Sequence, residues 1–146
     1  MTITGEYVPS AAQWVRDQVE TIEETGTTRS VHIMDRPVVL LTMLGVSGKV
    51  RKVPLMRVEH DGTYLAVASK GGAPEHPKWY WNIRRNPVLD LQDDDRTWTV
   101  RARELSGEER QTWWERAVAA YPPYADYQTT TDRLIPVFVL EPFDAG

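Results

Sequence analysis

Four groups of residues carry the types and spacing that chemistry would use. Gly48 leads into Lys49, Arg51 and Lys52, where the glycine lets a ligand approach the backbone. The cations there would give charge-assisted hydrogen bonds of roughly 1.5–3 kcal/mol each to phosphate or carboxylate oxygens. Ser69-Lys70-Gly71-Gly72 is a small-residue turn with a hydroxyl, and it runs into Lys78-Trp79-Tyr80-Trp81-Asn82. Tyr121, Tyr124 and Tyr127 recur at every third position. Close backbone approach, aromatic and apolar walls, and cations at one end together describe a seat for a planar ligand with an anionic tail.

Other chemistries lose their support. No G-x-G-x-x-G, G-x-x-x-x-G-K-[ST] or G-x-S-x-G is present, so Rossmann, P-loop and α/β-hydrolase readings are not favoured. His32, His60 and His76 are scattered without metal-ligand spacing, and Asp93-Asp94-Asp95 reads as a solvated turn, so no metal is expected. The absence of Cys excludes a disulfide framework and thiol catalysis. A net charge of −4 argues against nucleic acid as a partner. At 41% hydrophobic and 26% charged residues with no long apolar run, the chain is predicted to be globular, without a stable membrane insertion. The N-terminus lacks a secretion-signal pattern, and a cytoplasmic protein is expected.

The elements that must position these residues follow from periodicity. Ser10 and Gln13 predict a capped helix with Ala11, Trp14, Val15, Val19 and Ile22 on one face, ended by Gly26. Its other face is acidic, so the apolar stripe reads as a seam against the body rather than a membrane anchor. Val38–Met43 predicts a strand buried on both faces. Val53–His60 and Thr63–Ser69 predict a hairpin about Asp61-Gly62. A helix is expected from Pro77 to Arg85, with Trp79 and Ile83 on one face and Tyr80 and Arg84 on the next. Val88–Gln92 and Thr97–Glu104 form a further strand pair, Ser106 and Glu109 cap another helix, and Ile135–Glu141 is the last strand. This pattern predicts an α+β fold whose six or seven mostly antiparallel strands close into a small barrel with flanking helices.

At this level the chain resembles a known family. P-V-V-L-L-T, S-G-K-V-R-K-V-P-L, V-A-S-K-G-G-A-P, W-Y-W-N-I-R-R-N-P and Y-P-P-Y-A-D-Y-Q-T-T-T-D-R-x-I-P-V-F-V-L, spread in order from Pro37 to Pro142, are similar to the actinobacterial deazaflavin-dependent nitroreductases. The resemblance implies a split β-barrel over residues 30–146, preceded by an N-terminal helical segment at 1–29. It also implies the coenzyme F420, an 8-hydroxy-5-deazaflavin with a phosphate and oligoglutamate tail. By position, Ser47, Lys49, Arg51, Lys52, Val53, Pro54, Leu55, Met56 and Arg57 would follow the tail and ring edge. Val67, Ala68, Ser69 and Lys70 would lie against the ring, and Lys78, Trp79, Tyr80, Trp81 and Asn82 would complete the seat. Tyr121, Tyr124 and Tyr127 would cover the substrate face, with Ser69 and Tyr124 as candidate catalytic proton donors. Gly45-Val46-Ser47-Gly48 is shorter than the family's usual loop and lacks its lysine, so tail affinity turns on whether Lys49 substitutes. The implied reaction is hydride transfer to a small-molecule electron acceptor, namely a nitro-heterocycle, quinone or enone. Two alternatives remain at this point: the same barrel holding FMN, or a carrier that binds the deazaflavin without turnover. A monomer or homodimer fits either.

Overall fold

The structure is a computed structural model and describes residues 3–143. In chain order it contains α1 (Gln13–Thr25), β1 (His32–Ile33), β2 (Arg36–Leu44), β3 (Val50–Met56), β4 (Glu59–His60), β5 (Thr63–Val67), α2 (Lys78–Arg85), β6 (Val88–Asp93), β7 (Arg96–Glu104), α3 (Gly107–Ala120), α4 (Pro123–Thr129) and β8 (Val137–Pro142). The strands form one antiparallel sheet in the order β1-β2-β6-β7-β8-β5-β4, and β3 pairs with β2 off this path.

Side-chain alternation along the strands assigns the layers. On β2, Val39, Leu41 and Met43 point into the interior of the curled sheet, where they meet Leu89, Leu91, Val100, Phe138 and Leu140. Val38 and Leu40 point the other way and bury Val19 and Ile22 of α1. The continuous apolar run of β2 is thus explained by burial on both faces. Burying Val19 and Ile22 stabilises the docked helix by roughly 1.5–3 kcal/mol apiece. On β5 and β8 the outer residues Leu65, Val67, Val137 and Val139 pack under Trp113, Ala117, Tyr121 and Tyr124 of the α3–α4 layer. That packing fixes where the three tyrosines stand.

Several predicted elements differ in detail. The run Val53–His60 is not one strand of a hairpin. It breaks at Arg57-Val58, β3 pairs with β2 along its length, and only the two residues of β4 pair with β5. The four-residue loop Gly45-Val46-Ser47-Gly48 closes locally, with Gly48 N–H on Gly45 O at 2.9 Å and Gly48 at φ 85, and it commits β3 to its sequence neighbour. Arg57 N–H then binds Pro37 O, and its guanidinium meets Asp93 Oδ2 at 2.9 Å. Asp93 is therefore part of an ion pair and not of a solvated turn; Asp94 and Asp95 make the turn, and Asp94 itself pairs with Arg29 at 3.1 Å. The sheet has eight strands, because the short β1 and β4 count separately. Neither serine cap forms as predicted. Ser10 Oγ accepts from Ala12 N–H at 3.1 Å ahead of a helix that starts at Gln13, and Glu109 is drawn to Arg103 at 2.8 Å.

Candidate active site

A cleft of about 900 Å³ runs along β3 and is walled by α2, the Ser69–Gly71 turn, the tyrosines and the N-terminal segment. β3 pairs with β2 on one side; on the other, Val50 alone bridges Tyr7 among the described residues, and the edge beyond it faces the cleft. Val50 sends its N–H to Glu6 O and receives Val8 N–H, which places its main chain on the outer edge. Alternation then turns the peptide groups of Lys52, Pro54 and Met56 outward as well. Pro54 sits where its missing N–H removes no ladder bond. The strand edge thereby presents main-chain donors and acceptors to a planar heterocycle, while Val53 and Leu55 supply apolar wall.

The floor of the cleft is the turn after β5. Lys70, Gly71 and Gly72 are all left-handed, at φ 45, 62 and 82. The turn is closed by main chain, Gly72 N–H on Ser69 O at 2.9 Å, so the Ser69 hydroxyl takes no part in it and has no hydrogen-bond partner among the described residues. Gly72 presses on α4: a Cβ there would lie 2.2 Å from Thr130 Oγ1 and 2.9 Å from Tyr127 O. Across the cleft, Asn82 Oδ1 accepts Val46 N–H at 3.0 Å and ties the β2–β3 loop to α2.

The cations divide into two kinds. Lys52 pairs with Glu23 at 2.8 Å and lies 5.0 Å from the Tyr7 ring, and Lys70 pairs with Glu75 at 2.9 Å. Arg51 and Lys78 line the cleft with no acidic partner among the described residues. They are the charges available to an incoming anion.

Tyr121 and Tyr127 bind each other through their hydroxyls at 2.9 Å, and Tyr124 packs edge-on against Tyr121 with centroids 5.0 Å apart. The Tyr121 hydroxyl and burial push Tyr127 up to about 12, and burial pushes Tyr124 higher still. Tyr124 is 6% exposed, lines the cleft, and its hydroxyl has no partner among the described residues.

Of the residues predicted for the site, Ser47, Arg51 through Met56, Val67, Ser69, Lys70, Lys78, Trp79, Trp81, Asn82, Tyr121, Tyr124 and Tyr127 line this cleft. Four do not. Lys49 is engaged with Glu6 outside the cleft. Arg57 is turned to Asp93 and the Tyr64 ring. Ala68 is fully buried in the interior. Tyr80 faces the core beside Ile83, stacked on His76 at 4.1 Å, because the buried face of α2 runs through Tyr80 and Ile83 and leaves Trp81 52% exposed. The sequence reading missed the wall formed by Ser10, Ala11, Trp14, Val15, Ile33 and Met34. It also missed Arg133, whose guanidinium binds the main chain of the Ser69 turn. Trp14, read from the sequence as part of the seam face with Val19 and Ile22, is exposed and lines the cleft instead.

Comparison with known proteins identifies the class. Residues 14–142 match the family model for F420H(2)-dependent quinone reductases, and the chain belongs to that family. It is 38% identical over 96 residues to a putative F420H(2)-dependent quinone reductase of Mycobacterium tuberculosis, an alignment covering 66% of this chain and 81% of the relative. A solved structure described as an F420-H2 dependent reductase is 61% identical, with TM-score 0.69 over 76% of this chain and 99% of that one. Another, described as a domain-swapped dimer, is 60% identical, with TM-score 0.72 over 90% of this chain and all of that one. At 15% identity and TM-score 0.50, a protein of the pyridoxinephosphate oxidase family from Clostridium acetobutylicum shares the fold alone, across 86% of this chain and 85% of its own. The fold is thus a split β-barrel. Among the described residues no helix is long and apolar enough to cross a membrane.

Proposed function

We propose that this protein is an F420H2-dependent reductase that passes a hydride from the reduced deazaflavin, bound along β3, to a quinone or a comparable electrophile such as a nitro-heterocycle held under the tyrosines. The observation that carries this reading is the meeting, in one cleft, of an open strand edge with two cations and two hydroxyls that have no partner among the described residues. The family match favours the deazaflavin over FMN.

The residues fit such a cofactor. The strand edge at Lys52 to Met56 suits the polar edge of a ring system, Val53, Leu55, Val67 and Trp79 suit its faces, and Arg51 and Lys78 suit the anionic tail. The coenzyme, when bound, supplies a two-electron hydride. The protein aligns the partners, excludes water, and supplies the proton that the reduced acceptor requires. Tyr124 Oη and Ser69 Oγ are the donors this reading assigns, each free of any competing bond within the described residues. Tyr124 is neutral at neutral pH like an ordinary tyrosine; burial raises its pKa further, which makes it a weaker acid and favours hydrogen-bond donation to the developing anion over early proton loss. Lys49, Arg57, Ala68 and Tyr80 have no part in it.

The swapped-dimer relative supports a homodimer for this chain, and a cytoplasmic location belongs to the same reading. Fluorescence titration of the purified protein with oxidised F420 and with FMN tests the cofactor assignment. Tighter binding of F420 is expected; tighter binding of FMN would overturn it.

A further inference from the structure

The Ser69–Ala73 turn holds three successive left-handed residues, one of them the non-glycine Lys70. Such a conformation is unfavourable for an L-residue and persists only where its surroundings impose it. Its own main-chain bonds are few: Gly72 N–H to Ser69 O at 2.9 Å and Ala73 N–H to Lys70 O at 3.1 Å. The imposing group comes from far along the chain. Arg133 donates from Nη2 to Ser69 O at 2.7 Å, from Nε to Ala73 O at 2.8 Å and from Nη1 to Ala68 O at 3.1 Å. Its Nη1 also lies 3.1 Å from His76 Nδ1, on the approach to α2. Arg133 forms no ion pair among the described residues, so the whole fork is committed to main chain and one imidazole.

Arg133 is in turn held by α4. Gln128 donates to Arg133 O at 2.8 Å and accepts from Ile135 N–H at 3.0 Å, so a single side chain brackets the segment that carries the arginine. Thr130 Oγ1, just past the helix end, shares its one proton between Tyr127 O at 2.8 Å and Gly72 O at 3.2 Å. The helix with Tyr124 and the turn with Ser69 are therefore joined through Arg133.

We propose that Arg133 is a positioning residue: it sets the Ser69–Ala73 turn and, through it, the place of the Ser69 hydroxyl relative to Tyr124 across the cleft. The part concerning catalysis rests on the reading of Ser69 given above. A lysine cannot reproduce the arrangement, because its single ammonium lacks the planar fork that reaches three separated carbonyls.

Two measurements on Arg133→Lys test this, with Arg133→Gln as a second variant should either fold poorly. Amide hydrogen exchange of the intact protein should rise by about tenfold or more at Gly72 and Ala73, with the amides of β6 unchanged, since local opening follows the loss of local bonds. Oxidation of bound reduced F420 by a quinone should slow by about tenfold. In a Ser69→Ala background the same substitution should slow it by less than about twofold, because residues acting as one unit are not additive. Unchanged exchange at the turn, or losses that multiply in the double variant, would overturn the proposal. A wild-type protein that binds no F420 would strike the functional reading instead, and the exchange comparison would still decide the role of Arg133.

Discussion

The Tyr121 and Tyr127 hydroxyls lie 2.9 Å apart and share one hydrogen bond, while Tyr124, packed against both rings, carries a hydroxyl with no partner among the described residues. A general acid must have its proton free to give; the pair commits one of its two protons, whereas the Tyr124 proton has no competing acceptor among the described residues and Tyr124 lines the cleft.

Tyr124→Phe should accordingly act on the reacting complex more than on coenzyme binding. We expect F420 affinity within about threefold of wild type, and turnover with a model quinone lowered by roughly tenfold, the low end for a general acid whose role water partly fills. Steady-state assays beside binding titrations check this. Equal loss in both quantities would make Tyr124 a packing residue.

The same tyrosines predict an alkaline limit. Tyr124 and Tyr127 ionise above the ordinary value near 10 in the folded state, Tyr124 chiefly through burial and Tyr127, pushed up to about 12, through the Tyr121 hydroxyl and burial. The stability they contribute as neutral groups is fully present below pH 10 and is lost as pH rises through about 12. Ultraviolet titration of tyrosinate should show Tyr127→Phe removing a late-titrating group. If all tyrosines of the wild type ionised together near pH 10, the packed trio would be contradicted.

Charge pairing separates two neighbouring cations on β3. Arg51→Ala should weaken F420 binding by roughly tenfold at low salt, the scale of one lost charged hydrogen bond, and by less at high salt. Lys52→Ala should cost under about threefold, because Lys52 is already engaged by Glu23. Fluorescence-derived dissociation constants at two ionic strengths decide the matter, and a larger effect at Lys52 would reverse the assignment.

Gly72 offers a test of the joint between turn and α4. A Cβ there meets Tyr127 O at 2.9 Å and Thr130 Oγ1 at 2.2 Å, at φ +82. Gly72→Ala should destabilise by roughly 1–3 kcal/mol, measured by urea unfolding. Gly62→Ala, with the same backbone sign but nothing within 4 Å, should cost less.

Much of this was legible in the sequence because local chemistry decided it. The apolar run of β2, the Asp61-Gly62 turn at φ 52 and 83, the α2 stop near Arg85 and the tyrosine spacing on α4 each follow from neighbouring residues. What stayed hidden was decided at long range. Where Val53–His60 breaks into β3 and β4 coincides with Arg57 meeting Asp93, 36 positions away. Whether Trp79 or Tyr80 faces the core depends on Phe138 and on His76, since both residues fit a helical stripe. Arg133 stands in a recognisable motif, but its partners lie 60 to 65 positions earlier and are carbonyl oxygens, which carry no side-chain signature.

The central claim is that this cleft performs hydride transfer from reduced F420, and anaerobic stopped-flow mixing of the protein–F420H2 complex with saturating quinone measures that step directly. The account predicts rapid return of the oxidised deazaflavin absorbance with wild type and a roughly tenfold slower phase with Tyr124→Phe. Tight binding of F420H2 with no oxidation by any quinone or nitro compound tried would contradict it and would make the protein a deazaflavin carrier.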